Sequence, residues 1–320
     1  MTKEKGIFFK HTGAFSGTFW PYFCLVMMGL LFGAMTPVAK AAMTGGIPQL
    51  TLTALRMLGA AAFFWIFSLK KPPMRVPKKD IALLFLAAML GIVGDQGFFI
   101  YGLSKTSPID AGVICTLIPV FALLLGILFK GHRVGLKRIV AVLLGLTGAV
   151  TMVLTSAGDP TAVATLEGDL LVLFALFSFS CYLVFFVDLL SRYPVYILMK
   201  WMFLFASMVM CPLGIWDAMR CDFTLISTTT WLEVFYVVVG GTIFAFAFML
   251  EGQRRCAPEV VGIFNYLQPV VTCALAVAMG LDVFTTPKLL GAALIFLSVG
   301  LTIERRKKVS WAFGYQCFVN

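Results

Sequence analysis

The feature that most constrains this chain is a succession of apolar runs, each long enough to cross a lipid bilayer as a helix. Such a crossing needs about 20 apolar residues. Of the 320 residues, 60% are hydrophobic and 12% are charged, whereas a soluble domain has about 25% charged residues. The polar stretches between the runs are too short to enclose a core. The sequence therefore predicts an all-α polytopic membrane protein without a separate soluble domain.

Ten candidate transmembrane helices follow from these runs. They cover residues 19–40, 49–69, 80–102, 108–129, 137–155, 168–187, 195–216, 230–250, 258–281 and 287–304. The connections are short, and the longest two, 156–167 and 217–229, are rich in Asp, Thr, Ser and Pro, which is typical of exposed turns. No small-residue cleavage site ends the first apolar run, so we expect the N-terminal segment to be a cytoplasmic tail.

Lysine and arginine are distributed unevenly between the two sides of this arrangement. One side has 20 of the 25, the other has four, and Arg56 lies within a helix. Because basic residues favour the cytoplasmic side, we expect both termini in the cytoplasm, with the chain in the inner or plasma membrane if it is bacterial. The same bias accounts for the net charge of +10, so no nucleic-acid partner is predicted.

Cysteine and histidine show no pattern for metal binding or catalysis. The eight cysteines include no CxxC pair, and the two histidines, His11 and His132, fall at the predicted cytoplasmic surface. We therefore expect no metal, no cofactor and no catalytic residues. A membrane-embedded enzyme built on a Ser or Asp dyad remains an alternative, although no motif points to one.

Two segments of the chain resemble each other at an offset of 150 residues. The segment "TSPIDAGVICTLIPVFALLLG" aligns without gaps with "CAPEVVGIFNYLQPVVTCALA", so that Pro108 matches Pro258 and Pro119 matches Pro269. Two prolines with the same spacing in both copies indicate an internal repeat.

Each copy of this repeat has five helices, an odd number, so the second copy must be inverted relative to the first. We expect a first five-helix repeat at 1–155, a second at 156–308 and a cytoplasmic tail at 309–320. Inverted repeats are typical of transporters that alternate between two open states around a central site.

The opening of the first repeat resembles a known family. The segment "LLFGAMTPVAKAAMTGGIPQLTLTALRMLGAAAFF" is similar to the start of EamA-type proteins of the drug/metabolite transporter superfamily, which have a glycine within helix 1, a lysine at its end, a proline, and an arginine in helix 2. The corresponding residues are Gly33, Lys40, Pro48 and Arg56. The two proline-centred helices resemble helices 4 and 9 of that family. The resemblance implies a transporter and an export direction, but it leaves the substrate open.

One position departs from the family pattern. EamA-type proteins usually have a glutamate nine residues before a glycine, just after helices 4 and 9. Asp282 occupies this position in the second repeat, whereas His132 occupies it in the first. The first repeat therefore lacks that carboxylate.

The segment "GIFNYLQPVV" places polar groups inside an apolar run. An unpaired amide in hydrocarbon costs several kcal/mol, and proline removes a helical hydrogen bond. Asn265, Tyr266, Gln268 and Pro269 therefore need partners, and we expect them to line a cavity. The alternative is helix–helix packing, but the positions matching Asn265 and Gln268 in the first repeat are Cys115 and Ile118.

Three further residues are candidates for the cavity lining. Thr116 is the first-repeat counterpart of Tyr266, and Pro119 is the counterpart of Pro269. Both prolines are expected to loosen their helices and free carbonyl groups. Tyr182 lies midway along its predicted span.

Asp95 and Gln96 lie deep within the third predicted helix. A carboxylate at the bilayer centre costs about 2.5–3.5 kcal/mol on insertion scales, so it must be paired, protonated or in a cavity. One interpretation of Asp95 is a helix-packing carboxylate. The other is a proton or cation site that couples to transport.

Arg56 also has two interpretations. Its side chain could extend to the lipid headgroups, or it could bind the carboxylate of a substrate. Lys40 is expected to be an interfacial anchor.

These features together predict a secondary transporter that exports small metabolites, such as amino acids or amphipathic compounds, by alternating access. The lipid bilayer and a small-molecule substrate are the expected partners, with a coupled proton or cation and a homodimer left open. No nucleotide-binding GxxxxGK[ST] motif occurs, so ATP is not expected to drive it. An organophosphate or nucleotide-sugar exchanger is the alternative within transport.

Overall fold

The structure is a computed structural model. It describes residues 19–130, 139–140, 143–148, 150–151, 165–255, 264, 267–283 and 285–302. Within these ranges every regular element is a helix, and there is no strand. The all-α prediction is confirmed for the described part of the chain.

The helices are numbered in chain order. Those of the first half are α1 (Phe19–Thr44), α2 (Gln49–Leu69), α3 (Lys78–Lys105) and α4 (Pro108–Phe129), and residues 143–148 are also helical. Those of the second half are α5 (Leu166–Phe185), α6 (Val187–Arg192), α7 (Val195–Ala218), α8 (228–255), α9 (Leu267–Ala278) and α10 (Thr286–Thr302).

Seven of the described helices, α1 to α5, α7 and α8, are long and apolar enough to cross a membrane. The chain is therefore an integral membrane protein. The described parts of α9 and α10 are also apolar but shorter. Nearly half of the span predicted at 137–155, and residues 258–263, 265 and 266 of the span predicted at 258–281, lie outside the described residues. The count of ten and the division after residues 155 and 308 remain predictions.

Prolines and hydroxyl side chains set the starts of several helices. Pro48 directly precedes α2 and Pro194 directly precedes α7, and a proline disfavours helical conformation in the residue before it. At the start of α4, Ser107 Oγ accepts a hydrogen bond of 3.1 Å from the backbone N–H of Asp110. Such a cap pairs an N–H group that the first turn of a helix leaves without a partner.

The helices α3 and α8 each contain a π-helical segment, Met89–Gly97 and Tyr236–Phe244 respectively. The two helices begin 150 residues apart, which is the offset found in the sequence, and their π segments begin 147 residues apart. In α8, Thr242 Oγ1 donates to the carbonyl of Val237, five residues earlier, at 2.9 Å. π-Helical turns are rare and are frequently found at functional sites.

The packing of the helices brings the two halves of the chain together. The helix α2 packs along α7, α3 packs along α5, and α1 packs against α8 and α9. Apolar side chains on the outside, such as Leu58, Ile66 and Met208, expose 52%, 62% and 60% of their surface. Such a surface suits contact with lipid.

Both ends of α3 are tied to the second half by polar side chains. At its start, Tyr193 donates a hydrogen bond to Asp80, and this bond raises the pKa of Tyr193. At its end, Lys105 pairs with Glu167. These contacts link the two ends of α3 to the connection between α6 and α7 and to the start of α5.

Candidate functional site: a buried arginine between two π-helical segments

Arg56 lies in α2 and is one of the largest fully buried side chains, with 0% of its surface exposed. Extension of its side chain to the lipid headgroups, one of the two interpretations from the sequence, does not fit this burial. A buried guanidinium is costly unless polar partners surround it. The residues around Arg56 therefore define the candidate site.

The partners of Arg56 come from three other helices. Its Nε donates to Thr242 Oγ1 in the π segment of α8 at 2.9 Å. Its Nη2 donates to Gln96 Oε1 in the π segment of α3 at 2.6 Å and to the sulfur of Met35 in α1 at 3.1 Å. The cluster thus joins helices from both halves of the chain.

Asp95 completes this cluster through its neighbour. Gln96 Nε2 donates to Asp95 Oδ2, and the carboxylate of Asp95 also attracts the guanidinium of Arg56. Asp95 is 6% exposed. The site therefore holds one positive and one negative group with the Gln96 amide between them.

One nitrogen of Arg56 has no partner in this arrangement. Its Nη1 is buried and makes no hydrogen bond within the described part of the chain. Leaving a buried donor unpaired costs about 1–3 kcal/mol, and more for a charged group. An anionic group next to Nη1 would remove this cost, so the site has the chemistry to bind an anion.

Close packing of glycines places the two π segments. A Cβ atom on Gly91 would lie 2.6 Å from Cγ of Tyr182 in α5, and one on Gly241 would lie 2.8 Å from Cβ of Met35 in α1. Gly91 and Gly241 are themselves 150 residues apart. Only glycine permits these approaches, which set how near α3 and α8 come to α5 and α1.

The second-half candidates are only partly described. Asn265 and Tyr266 lie outside the described residues. The backbone carbonyl of Gln268 faces α1, where a Cβ atom on Gly33 would be 2.7 Å from it. Pro269 is buried in α9. The structure thus places the backbone of Gln268 against α1. The cavity lining predicted for Asn265, Tyr266, Gln268 and Pro269 remains a prediction.

The first-half candidates on α4 flank an irregular turn. Residues Cys115–Leu117 form a short 3₁₀-helix just before Pro119. Thr116 is buried, and its Oγ1 donates to the carbonyl of Val113 in the same helix at 2.7 Å. The hydroxyl of Thr116 is therefore used within its own helix, and that Thr116 and Pro119 line a cavity remains a prediction.

Tyr182 packs beside the π segment of α3. It is 6% exposed and belongs to a hydrophobic cluster that includes Met202 and Phe203. Its hydroxyl group contacts the sulfur of Met202 at 3.9 Å. That Tyr182 lines a cavity remains a prediction.

Lys40 is another buried cation, but its donors are already used. Its Nζ donates to the carbonyls of Leu103, Ser104 and Thr106 at 2.8, 2.9 and 2.8 Å. These carbonyls lie at the C-terminal end of α3, where a helix leaves such groups unpaired. Lys40 therefore caps α3, and the interfacial anchor expected from the sequence is replaced by this buried role.

Two partners of Arg56, Thr242 and Met35, were not predicted from the sequence. Threonine and methionine are ordinary residues in an apolar helix, so neither stands out. The signal that could have found Thr242 is its position beside Gly240 and Gly241 in "VVVGGTIF". Among the described residues, no group of three or more His, Cys, Asp or Glu could hold a metal ion.

Long apolar helices that enclose a buried ionic cluster define the class of this molecule, a polytopic membrane protein with a polar site inside the membrane. The model of the EamA-like transporter family matches residues 19–154 and 166–303. The chain therefore belongs to this family and is a membrane transporter, as the resemblance in the sequence predicted.

Known relatives cover most of the chain at low identity. The uncharacterized transporter YetK of Bacillus subtilis is 21% identical over 90% of this chain and 88% of its own length. The uncharacterized inner membrane transporter YicL of Salmonella typhimurium is 25% identical over 80% and 86%. A WAT1-related protein of Arabidopsis thaliana is 21% identical over 90% and 85%.

A solved crystal structure is similar in fold. It has a TM-score of 0.61 and 21% identity to this chain, and the match covers 92% of this chain and 99% of that one. At this identity the likeness concerns the fold alone.

Proposed function

We propose that this chain is a secondary transporter that exports small metabolites, such as amino acids or amphipathic compounds, by alternating access. The observation that carries the proposal is the unpartnered Nη1 of the buried Arg56. Thr242 and Gln96 fix the other two nitrogens of the guanidinium. The N–H groups of Nη1 are thereby left to bind a substrate carboxylate.

The neighbouring side chains favour a substrate that also has an apolar part. Phe246 lies one helical turn after Thr242, and its ring centroid is 5.3 Å from that of Phe32 and 5.4 Å from that of Phe203. Met35 lies one turn after Phe32 and contacts Arg56. A single cation, Arg56, beside the packed rings of Phe32, Phe203 and Phe246 is suited to binding an amphipathic anion or zwitterion.

Asp95 supplies the coupling group in this proposal. Its carboxylate is buried and accepts a hydrogen bond from the Gln96 amide, and the oxygen of the same amide accepts from Arg56. A proton or cation that binds Asp95 would weaken the attraction between Asp95 and Arg56. Substrate binding and ion binding are thus linked through one cluster.

Alternating access requires helices that change position around this site. The two π segments contribute the ligands of Arg56 from opposite halves of the chain, at positions related by about the same offset as the sequence repeat. Two inverted halves that exchange their conformations would open the site first to one side and then to the other. Cytoplasmic termini would make the start of α3 the inner end of this path.

An organophosphate or nucleotide-sugar exchanger is less well supported. A phosphate group of two negative charges favours several converging Lys or Arg donors. Among the described residues, the buried basic side chains are Arg56 and Lys40. Because Lys40 caps α3, a single guanidinium remains for the substrate.

The test compares metabolites inside and outside cells that express the wild-type chain, Arg56→Lys, Arg56→Ala or no transporter. We expect a reproducible external excess of one class of carboxylate compound with the wild type. Arg56→Lys should weaken it at normal expression, because a lysine does not reproduce the planar donors. A fully active Arg56→Ala variant would refute the site.

A second experiment addresses the coupling ion. Transport by Asp95→Asn is measured against external pH, with Asp188→Asn, an exposed change in α6, as the control. Loss of the wild-type pH dependence in Asp95→Asn alone supports proton coupling. An unchanged pH profile would remove Asp95 from the coupling step. Turnover of a compound by purified protein in detergent, with no compartment to cross, would favour an enzyme.

A further inference from the structure

A lysine and two tryptophans form a corner at the end of the bundle where α2 ends and α7 begins. Lys200 Nζ is 4.9 Å from the ring centroid of Trp65 and 5.9 Å from that of Trp201. The two indole rings meet edge to face with centroids 5.5 Å apart, and Trp65 Nε1 donates to the carbonyl of Lys200 at 3.1 Å. These contacts hold the ammonium on a flank shared by α2 and α7.

The charge of this ammonium is not neutralised by the described part of the protein, in which Lys200 forms no salt bridge. The faces of aromatic rings attract a cation, but they carry no net charge. Lys200, Trp65 and Trp201 are all partly exposed. An anion can therefore approach the ammonium from outside the protein.

The surface around the corner has the character of a lipid contact. Leu58 in α2 and Met208 in α7, each two helical turns from a tryptophan of the corner toward the middle of its helix, expose 52% and 60% of their surface. Tryptophan and lysine near the ends of transmembrane helices lie at the level of the lipid headgroups. The corner thus combines one cation at headgroup depth with an apolar flank beside it.

We propose that Lys200, Trp65 and Trp201 bind the headgroup of an anionic phospholipid whose acyl chains lie along the apolar flank of α2 and α7. The phosphate would pair with Lys200 Nζ, and the two indoles would hold the ammonium in place. The site is distinct from the Arg56 cluster, so the proposal does not depend on the transported substrate.

The test measures lipid binding to the purified full chain in neutral detergent by native mass spectrometry. Phosphatidylglycerol and phosphatidylcholine are added separately to the wild type, Lys200→Gln, Lys200→Arg and Lys70→Gln. Lys70→Gln is the matched control, because it removes an exposed charge at the end of the same helix, α2. Affinity is read from folded protein only, so a lower yield of a variant does not affect the comparison.

We expect phosphatidylglycerol to bind wild type, Lys200→Arg and Lys70→Gln alike and to bind Lys200→Gln about fivefold more weakly. Phosphatidylcholine should bind all four weakly. Equal binding of phosphatidylglycerol to Lys200→Gln and wild type would overturn the proposal. Equal binding of both lipids to the wild type, or equally effective competition by inorganic phosphate, would also overturn it.

Discussion

Among individual side chains, Arg56 shows how a polar group can be held inside an apolar bundle. Its Nε and Nη2 have partners on α8, α3 and α1, whereas its Nη1 has none among the described residues. Thr242 is central to this arrangement, since its own hydroxyl hydrogen is directed to Val237 and its oxygen is left to accept from Arg56. Thr242 therefore positions the guanidinium.

Replacing Thr242 tests this role. Thr242→Val should leave the Nε–H of Arg56 unpaired, lower the free energy of unfolding by about 1–3 kcal/mol and raise KM for transport more than it lowers the maximal rate. Thr242→Ser keeps the oxygen and should behave nearly as the wild type. Thermal unfolding in detergent and initial transport rates measure the two effects.

The control for this substitution is Thr147→Val, an exposed threonine whose hydroxyl bonds within its own helix at 2.8 Å. It should change neither quantity. A Thr242→Val protein with wild-type stability and wild-type KM would show that Thr242 does not position Arg56.

Lys40 allows a second test, of a structural role. Lys40→Met should leave three carbonyl acceptors at the end of α3 without this donor and lower the free energy of unfolding by about 3 kcal/mol or more. The measurement is thermal unfolding and yield of purified protein, with the exposed Lys70→Met as the control. A stable Lys40→Met variant with altered substrate affinity would instead place Lys40 in the transport path.

Among the helices, the spacing between α3 and α5 depends on Gly91, which has no side chain. A methyl group at Gly91 would meet the ring of Tyr182, which the surrounding cluster holds in place. The corresponding contact at Gly241 is with Cγ and Cβ of Met35, and a Cβ atom cannot move without the backbone of α1. Neither π segment should therefore tolerate alanine at its glycine.

We expect Gly91→Ala to lower the free energy of unfolding by about 1–3 kcal/mol, although alanine is the better helix former. Gly241→Ala should have a similar cost, because relief of its contact with Met35 requires a shift of α1. Thermal unfolding of both variants measures the loss, with Ala62→Val at an exposed position of α2 as the control. A Gly91→Ala protein as stable as the wild type would contradict this account of how α3 is placed.

For the molecule as a whole, the remaining prediction concerns orientation in the membrane. In a background without the eight native cysteines, single cysteines are introduced at the exposed positions Thr44, Pro73 and Thr224. A membrane-impermeant thiol reagent should label Thr44→Cys and Thr224→Cys in intact cells and Pro73→Cys only after permeabilisation. Labelling of Pro73→Cys in intact cells would reverse the predicted topology.

Sequence patterns predicted the helices better than they predicted the site. Apolar runs marked the helices, because hydrophobicity is a local property of the chain. Arg56, Asp95 and Gln96 were identified because charged and amide groups are rare in apolar runs. Tyr182 was also selected, but its burial among methionine and phenylalanine could not be inferred from the residue itself.

Local patterns were thus sufficient to establish a helical membrane protein of the EamA-like transporter family. The candidate site depended on folding, because Arg56 and its partner Thr242 are 186 residues apart. The register of the π segments aims Thr242 and Gln96 at the guanidinium, and glycine contacts between helices fix the distances. These are properties of packed helices in three dimensions, so the residues of one segment alone do not contain them.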